Sequence, residues 1–252
     1  MNLIGHYSCA SVPALPVRLG SVLPDLLGLY RRKVRPAALI DCWRGTAERD
    51  SGVRGLIAGL QFHHTVDVHF HRGPLFKETS SAIQAALLQA SKAPGLKRFL
   101  PAHVLTELYI DHLLIGREPG LVDAFYGDLE AGRSLLTELV PAHPLADSSS
   151  FRHFLSRIIA DRFVEDYRSY RGVLYRMNRI LVHYSQRPLQ PSEQAAVAEV
   201  FARRSGHTEA LAQSFVRSMR GLLPAMGGVD GPTAARPDDG KYPPVGLAAQ
   251  PV

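Results

Sequence analysis

Residues 59–71 read "GLQFHHTVDVHFH", with four histidines and one aspartate in an otherwise uncharged run. Helix positions four apart share a face, so His63, Asp67 and His71 line up over two turns. Imidazole nitrogen and carboxylate oxygen together suit Mn, Fe or Zn. The same spacing also serves an ordinary polar contact on a helix surface. A second group lies in "TELYIDHLL", residues 106–114, where Glu107 and Asp111 are four apart and His112 is adjacent. Leu108, Tyr109, Ile110, Leu113 and Leu114 leave little polar surface there, so the acids are expected to be partly buried. A buried carboxylate needs a partner, either a cation or an arginine side chain. Two more polar residues stand upstream. His6 follows an apolar start, and Asp25 in "GSVLPDLLGLY" is expected at a helix start after Pro24. An acid in a first turn also complements the helix dipole.

The elements that must position these groups are helical. Apolar residues recur every three or four positions through residues 151–186, which predicts one long helix with a bend at Gly172. Residues 55–72, 73–91, 102–115 and 120–139 predict four more helices, the last two bounded by Pro101, Pro119 and Pro141. Ser192 predicts the cap of a helix ending near Gly206, and Thr208 the cap of another reaching Leu223. Residues 44–54 read as a polar loop. Strand alternation and hairpin signals are scarce. The expectation is an all-α single domain over residues 1–223, followed by a disordered Pro/Gly-rich tail over 224–252.

Composition bounds the function without choosing it. The 252 residues are 46% hydrophobic and 21% charged, which suits a globular domain with a sizeable core. The net charge of +6 favours an acidic partner. Cys9 and Cys42 form no zinc-knuckle or disulfide pattern, so a cytoplasmic setting is expected. The first residues lack the pattern of a signal peptide, and no stretch is apolar for long enough to span a bilayer. No zinc-finger spacing or RNA-binding aromatic motif argues for nucleic acid.

Four features in order, "MNLIGH" at residues 1–6, G-x-x-L-x-D at 20–25, G-L-x-x-H-x-x-x-D at 59–67 and "ELYIDH" at 107–112, together resemble the acyl carrier protein phosphodiesterase family, related to the helical HD-type phosphohydrolases. The run "YRSYRGVLYRMNRILVHYSQR" at 167–187 is similar to that family's late helix, and the resemblance covers roughly residues 1–190. It implies an HD-like helical fold and a hydrolase dependent on a divalent metal, Mn first, with Fe, Mg or Zn as alternatives. Such enzymes remove 4′-phosphopantetheine from acyl carrier protein. By position, the resemblance carries over His6, Asp25, His63, Asp67, Asp111 and His112, with His6, Asp25, His63, Asp67 and Asp111 as the expected metal ligands and Asp67 and His112 as expected catalytic residues; a histidine not bound to metal suits the general acid, which makes His64 a catalytic candidate beside His112. Arg72, Arg176 and Arg179 are the candidates for gripping phosphate. Glu107 stands where the family commonly has aspartate. Gln61 stands in place of an expected histidine, and His71 in place of an acid. The connection from Asp25 to His63 is longer than the family's usual one.

With this resemblance the basic balance gains a reading, because acyl carrier protein is acidic and the run "RRKVR" at 31–35 could flank the mouth of the site. Two other functions remain open at this point. One is a metal-dependent phosphohydrolase acting on a nucleotide or small phosphoester. The other is a catalytically inactive helical binding module.

Overall fold

The three- to four-residue apolar spacing is realised as helix. A computed structural model describes residues 3–10, 14–30, 36–91, 99–140 and 147–226, and among these there is no strand. The helices are α1 (Leu3–Cys9), α2 (Leu15–Tyr30), α3 (Pro36–Ala47), α4 (Ser51–Arg72), α5 (Pro74–Ala90), α6 (Phe99–Arg117), α7 (Leu121–Ala131), α8 (Arg133–Leu139), α9 (Ser148–Asp161), α10 (Tyr170–His183) and α11 (Pro191–Met226). A 3₁₀ segment, Phe163–Arg168, joins α9 to α10. The all-α expectation holds. The expected tail lies outside the described residues from 227 onward.

α6 is the central element. It buries residues on every face and packs against α1, α5, α10 and α11. Tyr109 shows how it is held: its ring stacks on Phe201 of α11 at 3.9 Å, and its hydroxyl donates to the Phe201 carbonyl. Burying a ring of this size contributes roughly 1.5–3 kcal/mol. At one flank, Trp43 fixes α3 to α8 by donating its Nε1–H to the Leu139 carbonyl at 3.0 Å.

Several boundaries differ from the sequence expectation. The polar stretch 44–54 is mostly helical. α3 runs to Ala47, and Asp50 caps α4 by accepting from the Gly52 and Val53 amides, so only residues 48–50 connect the two. Pro24 does not start a helix but sits inside α2, where it removes the bond to the Gly20 carbonyl. Residues 120–139 divide into α7 and α8 at Gly132.

The long helix expected over 151–186 is broken at Arg162, which adopts the left-handed conformation (φ 42°, ψ 41°). Two contacts stabilise the break: Tyr126 accepts from the Val164 amide, and Arg162 pairs with Asp123 and Glu165. Gly172 does not bend a helix. It lies in the first turn of α10, and a Cβ there would sit 1.8 Å from the Asp166 carbonyl oxygen. The two helices expected from Ser192 and Thr208 are one, α11. Val197, Phe201, Ala212, Val216 and Met219 keep one buried stripe running past Gly206, so packing overrides its stop signal.

Candidate metal centre

α1, α2, α4 and α6 meet around a set of histidines and acids. His6 comes from α1, Asp25 from α2, and His63, Asp67 and His71 from α4; His103, Glu107 and Asp111 come from α6. His6, His63 and Asp67 each present a donor atom, and the three atoms lie within 4.8 Å of one another. The His6 and His63 rings stack at 3.8 Å.

Hydrogen bonding sets the tautomer of His63. Its Nδ1 lies 2.8 Å from the Ser21 carbonyl oxygen, which can only accept. Nδ1 therefore carries the proton in the neutral ring, and the Nε2 lone pair is left for another partner. Metal-binding histidines are typically oriented in this way by a carbonyl on the far nitrogen. His6 is buried, and its Nδ1 is sealed from solvent with no hydrogen-bond partner. Burial, with His63 adding to it, holds its pKa well below the usual value, so the ring is neutral. The Asp25 Oδ2 is also sealed and without a hydrogen-bond partner, and burial raises that carboxyl's pKa. Burial opposes ionisation of Asp67 too, but His71 outweighs it and keeps the carboxyl ionised. A neutral His6 ring with an unpartnered nitrogen, the His63 Nε2 turned away from Ser21, and an unpartnered Asp25 oxygen form an environment that a cation would complete.

Asp111 stands beside this group and serves α1. Its Oδ2 accepts from the Ile4 amide at 3.2 Å and its Oδ1 from the Gly5 amide at 2.8 Å. The Asp111 carboxyl group thus anchors the first turn of the helix that carries His6. Burial pushes its pKa up to about 8, against those two bonds.

A second trio adjoins the first. His71, His103 and Glu107 present donor atoms that also lie within 4.8 Å of one another. His71 faces both trios, with its Nδ1 3.2 Å from an Asp67 carboxylate oxygen and its Nε2 3.5 Å from Glu107. Sequence reasoning missed His103. The signal was there in the four-residue spacing of His103 and Glu107 on α6.

The remaining candidates lie elsewhere. His112 donates from Nδ1 to the Tyr167 carbonyl at 2.7 Å and packs against Tyr170, outside both trios. His64 is exposed on α4, as is Arg72 in that helix's last turn. Arg176 donates from Nε to Asp166 and lies over the Phe163 ring, which holds it against the turn that precedes α10. Arg179 donates to the Tyr175 hydroxyl on the same helix. The run at 31–35 lies outside the described residues. A cavity of about 430 Å³, lined by Tyr7, Arg18, Leu121 and Arg220 among others, shares no residue with either trio. No described helix is long and apolar enough to cross a membrane.

The chain matches no protein-family model, no curated protein and no solved structure.

Proposed function

We propose that this protein is a metal-dependent phosphodiesterase that hydrolyses 4′-phosphopantetheine from holo-acyl carrier protein. The observation that carries the reading is the convergence of His6, His63 and Asp67 from helices far apart in sequence, with sealed donor atoms on His6 and Asp25. Their donor chemistry fits a divalent cation such as Mn, Fe or Zn. Such a cation supplies acidification of water and neutralisation of phosphoryl charge. The chain's own residues prepare the place. Ser21 fixes the His63 tautomer, Asp111 anchors the helix bearing His6, and Asp67 contributes negative charge. The Asp67 side chain is 38% exposed, so substrate can approach the trio from that side. His112 and His64 are not assigned an acid–base role, since the first is bound to a carbonyl and the second faces solvent.

The carrier substrate rests on the ordered motifs at residues 1–6, 20–25, 59–67 and 107–112, and on the +6 charge, which complements an acidic partner. One observation favours a second reading, a small phosphoester or nucleotide as substrate: His71 stands where the resembled family has an acid, and it lies with His103 and Glu107 beside the first trio.

Incubation with holo-acyl carrier protein and Mn²⁺, followed by mass measurement of the carrier, decides between them. Loss of the phosphopantetheine mass, abolished by Asp67→Ala, is expected. An unchanged carrier with phosphate release from nucleotides or small phosphoesters would transfer the site to the second reading. No hydrolysis of any of these would end the enzymatic one.

A further inference from the structure

We propose that His71, His103 and Glu107 form a second divalent-cation site, of the two-histidine, one-carboxylate type, for a borderline cation of the zinc class. Three observations carry it.

The first is metric. His71 Nε2, His103 Nε2 and Glu107 Oε1 form a triangle with edges of 3.3, 3.2 and 3.5 Å. Ligands about 2.0–2.1 Å from a tetrahedral zinc stand roughly 3.3–3.4 Å apart. The three atoms already have the spacing of one face of such a tetrahedron.

The second is the proton count. His71 Nδ1 lies 2.9 Å from the Asp67 carbonyl oxygen, which can only accept. In the neutral ring the proton is on Nδ1, so Nε2 presents a lone pair. That lone pair faces His103 Nε2 at 3.3 Å and Glu107 Oε1 at 3.5 Å. The bond at Nδ1 is also the orienting contact that metal-binding histidines use.

The third is enclosure with one open side. Glu107 is 6% exposed and His71 18%, while His103 is 29% exposed. The rings of Phe76 and Phe99 stand 4.8 and 5.9 Å from His103. They line a cavity of about 30 Å³ with His103. That volume admits a water molecule beside His103. Imidazole donors together with a carboxylate select a borderline metal over the all-oxygen cations Mg²⁺ and Ca²⁺.

This site shares no donor with the His6, His63 and Asp67 trio, so it stands or falls separately. His71 nevertheless joins the two, since its Nδ1 also approaches the Asp67 carboxylate. A cation on Nε2 would strengthen that contact and couple the two sites.

The test is Zn²⁺ binding to the full-length chain after chelator treatment, read by metal analysis following equilibrium dialysis. His103→Ala and Glu107→Gln are each expected to lose about one equivalent relative to wild type, one trio's worth, and to keep the Zn²⁺ that His63→Ala loses. Wild-type Zn²⁺ content in either variant, with a native far-UV circular dichroism spectrum, would overturn the proposal. If His63→Ala removes all the Zn²⁺ while His103→Ala removes none, the second site fails and the first stands. If His103→Ala alone removes it, the second stands and the first fails. A titration of wild type with Co²⁺, followed by visible absorption, needs no variant. Two saturating phases with tetrahedral bands in one of them are expected, and a single octahedral phase would overturn the proposal.

Discussion

Gly20 of α2 and Gly59 of α4 touch backbone to backbone. A Cβ on Gly59 would sit 2.3 Å from the Val17 carbonyl oxygen and 2.7 Å from the Gly20 Cα. A Cβ on Gly20 would lie equally close to the Leu56 carbonyl oxygen. This contact lets Ser21 reach the His63 ring one turn beyond the crossing. Gly59→Ala is therefore expected to push α2 off α4 and to cost about 1–3 kcal/mol, the usual penalty for overpacking. The urea midpoint measures it. Gly206, exposed inside α11 with open space where a Cβ would go, is the control. Gly206→Ala should stabilise by about 0.5–1 kcal/mol. Equal effects at the two glycines would refute the close-approach account.

The His6, His63 and Asp67 trio predicts stabilisation by cations. A ligand that binds only the folded state raises stability by about 2.7 kcal/mol at a hundredfold excess over Kd. Mn²⁺ or Zn²⁺ should raise the melting temperature and EDTA should reverse the rise. His63→Ala should lower the gain measurably. A melting curve unmoved by either metal would argue against any cation in this centre.

Asp111 predicts a separation between anchoring and ligation. Asp111→Ala removes the acceptor of the Ile4 and Gly5 amides. Loss of a buried acceptor costs roughly 1–3 kcal/mol. Hydrogen exchange at those two amides should accelerate, and metal affinity should fall because His6 is held less firmly. Unchanged exchange at Ile4 and Gly5 would show that α1 docks without Asp111.

How much of this was legible beforehand varies with the range of the interaction. The four-residue spacing of His63, Asp67 and His71 is local, and it placed their shared face before any fold was known. Asp25 and His6 reach the same place only through tertiary packing, so their part rested on a resemblance of motif order. His103 is hard to single out in the sequence because one partner, His71, is on another helix, and the other, Glu107, is also four residues from Asp111. The break at Arg162 left no trace in the apolar period. Val164 and Tyr167 of the 3₁₀ segment are buried like the helices beside it, so the stripe runs on through the turn. Gly206 misled in the opposite direction, since a strong local stop signal yields when the apolar residues on either side share one buried stripe.

The last prediction concerns acid stability away from the site. Arg187 grips both carboxylate oxygens of Glu193 at 2.7 Å, and the Gln190 amide donates to the same group. Glu193 is the third residue of α11, so this amide bond is half of a capping box. The Arg187 bonds outweigh burial and hold the Glu193 pKa down to about 2. An unfolded glutamate titrates near pH 4.3. The folded pKa is the lower one, so the unfolded chain binds the proton first as pH falls. The stabilisation is complete above about pH 5 and is lost progressively as pH drops from there toward about 2. Glu193→Gln keeps the shape and loses the charge, at an expected cost of about 1.5–3 kcal/mol at neutral pH. Its stability should vary less with pH than that of wild type between about pH 5 and 2. Chemical denaturation at a series of pH values measures both quantities, and parallel curves for the two proteins would show that Glu193 does not drive the acid transition.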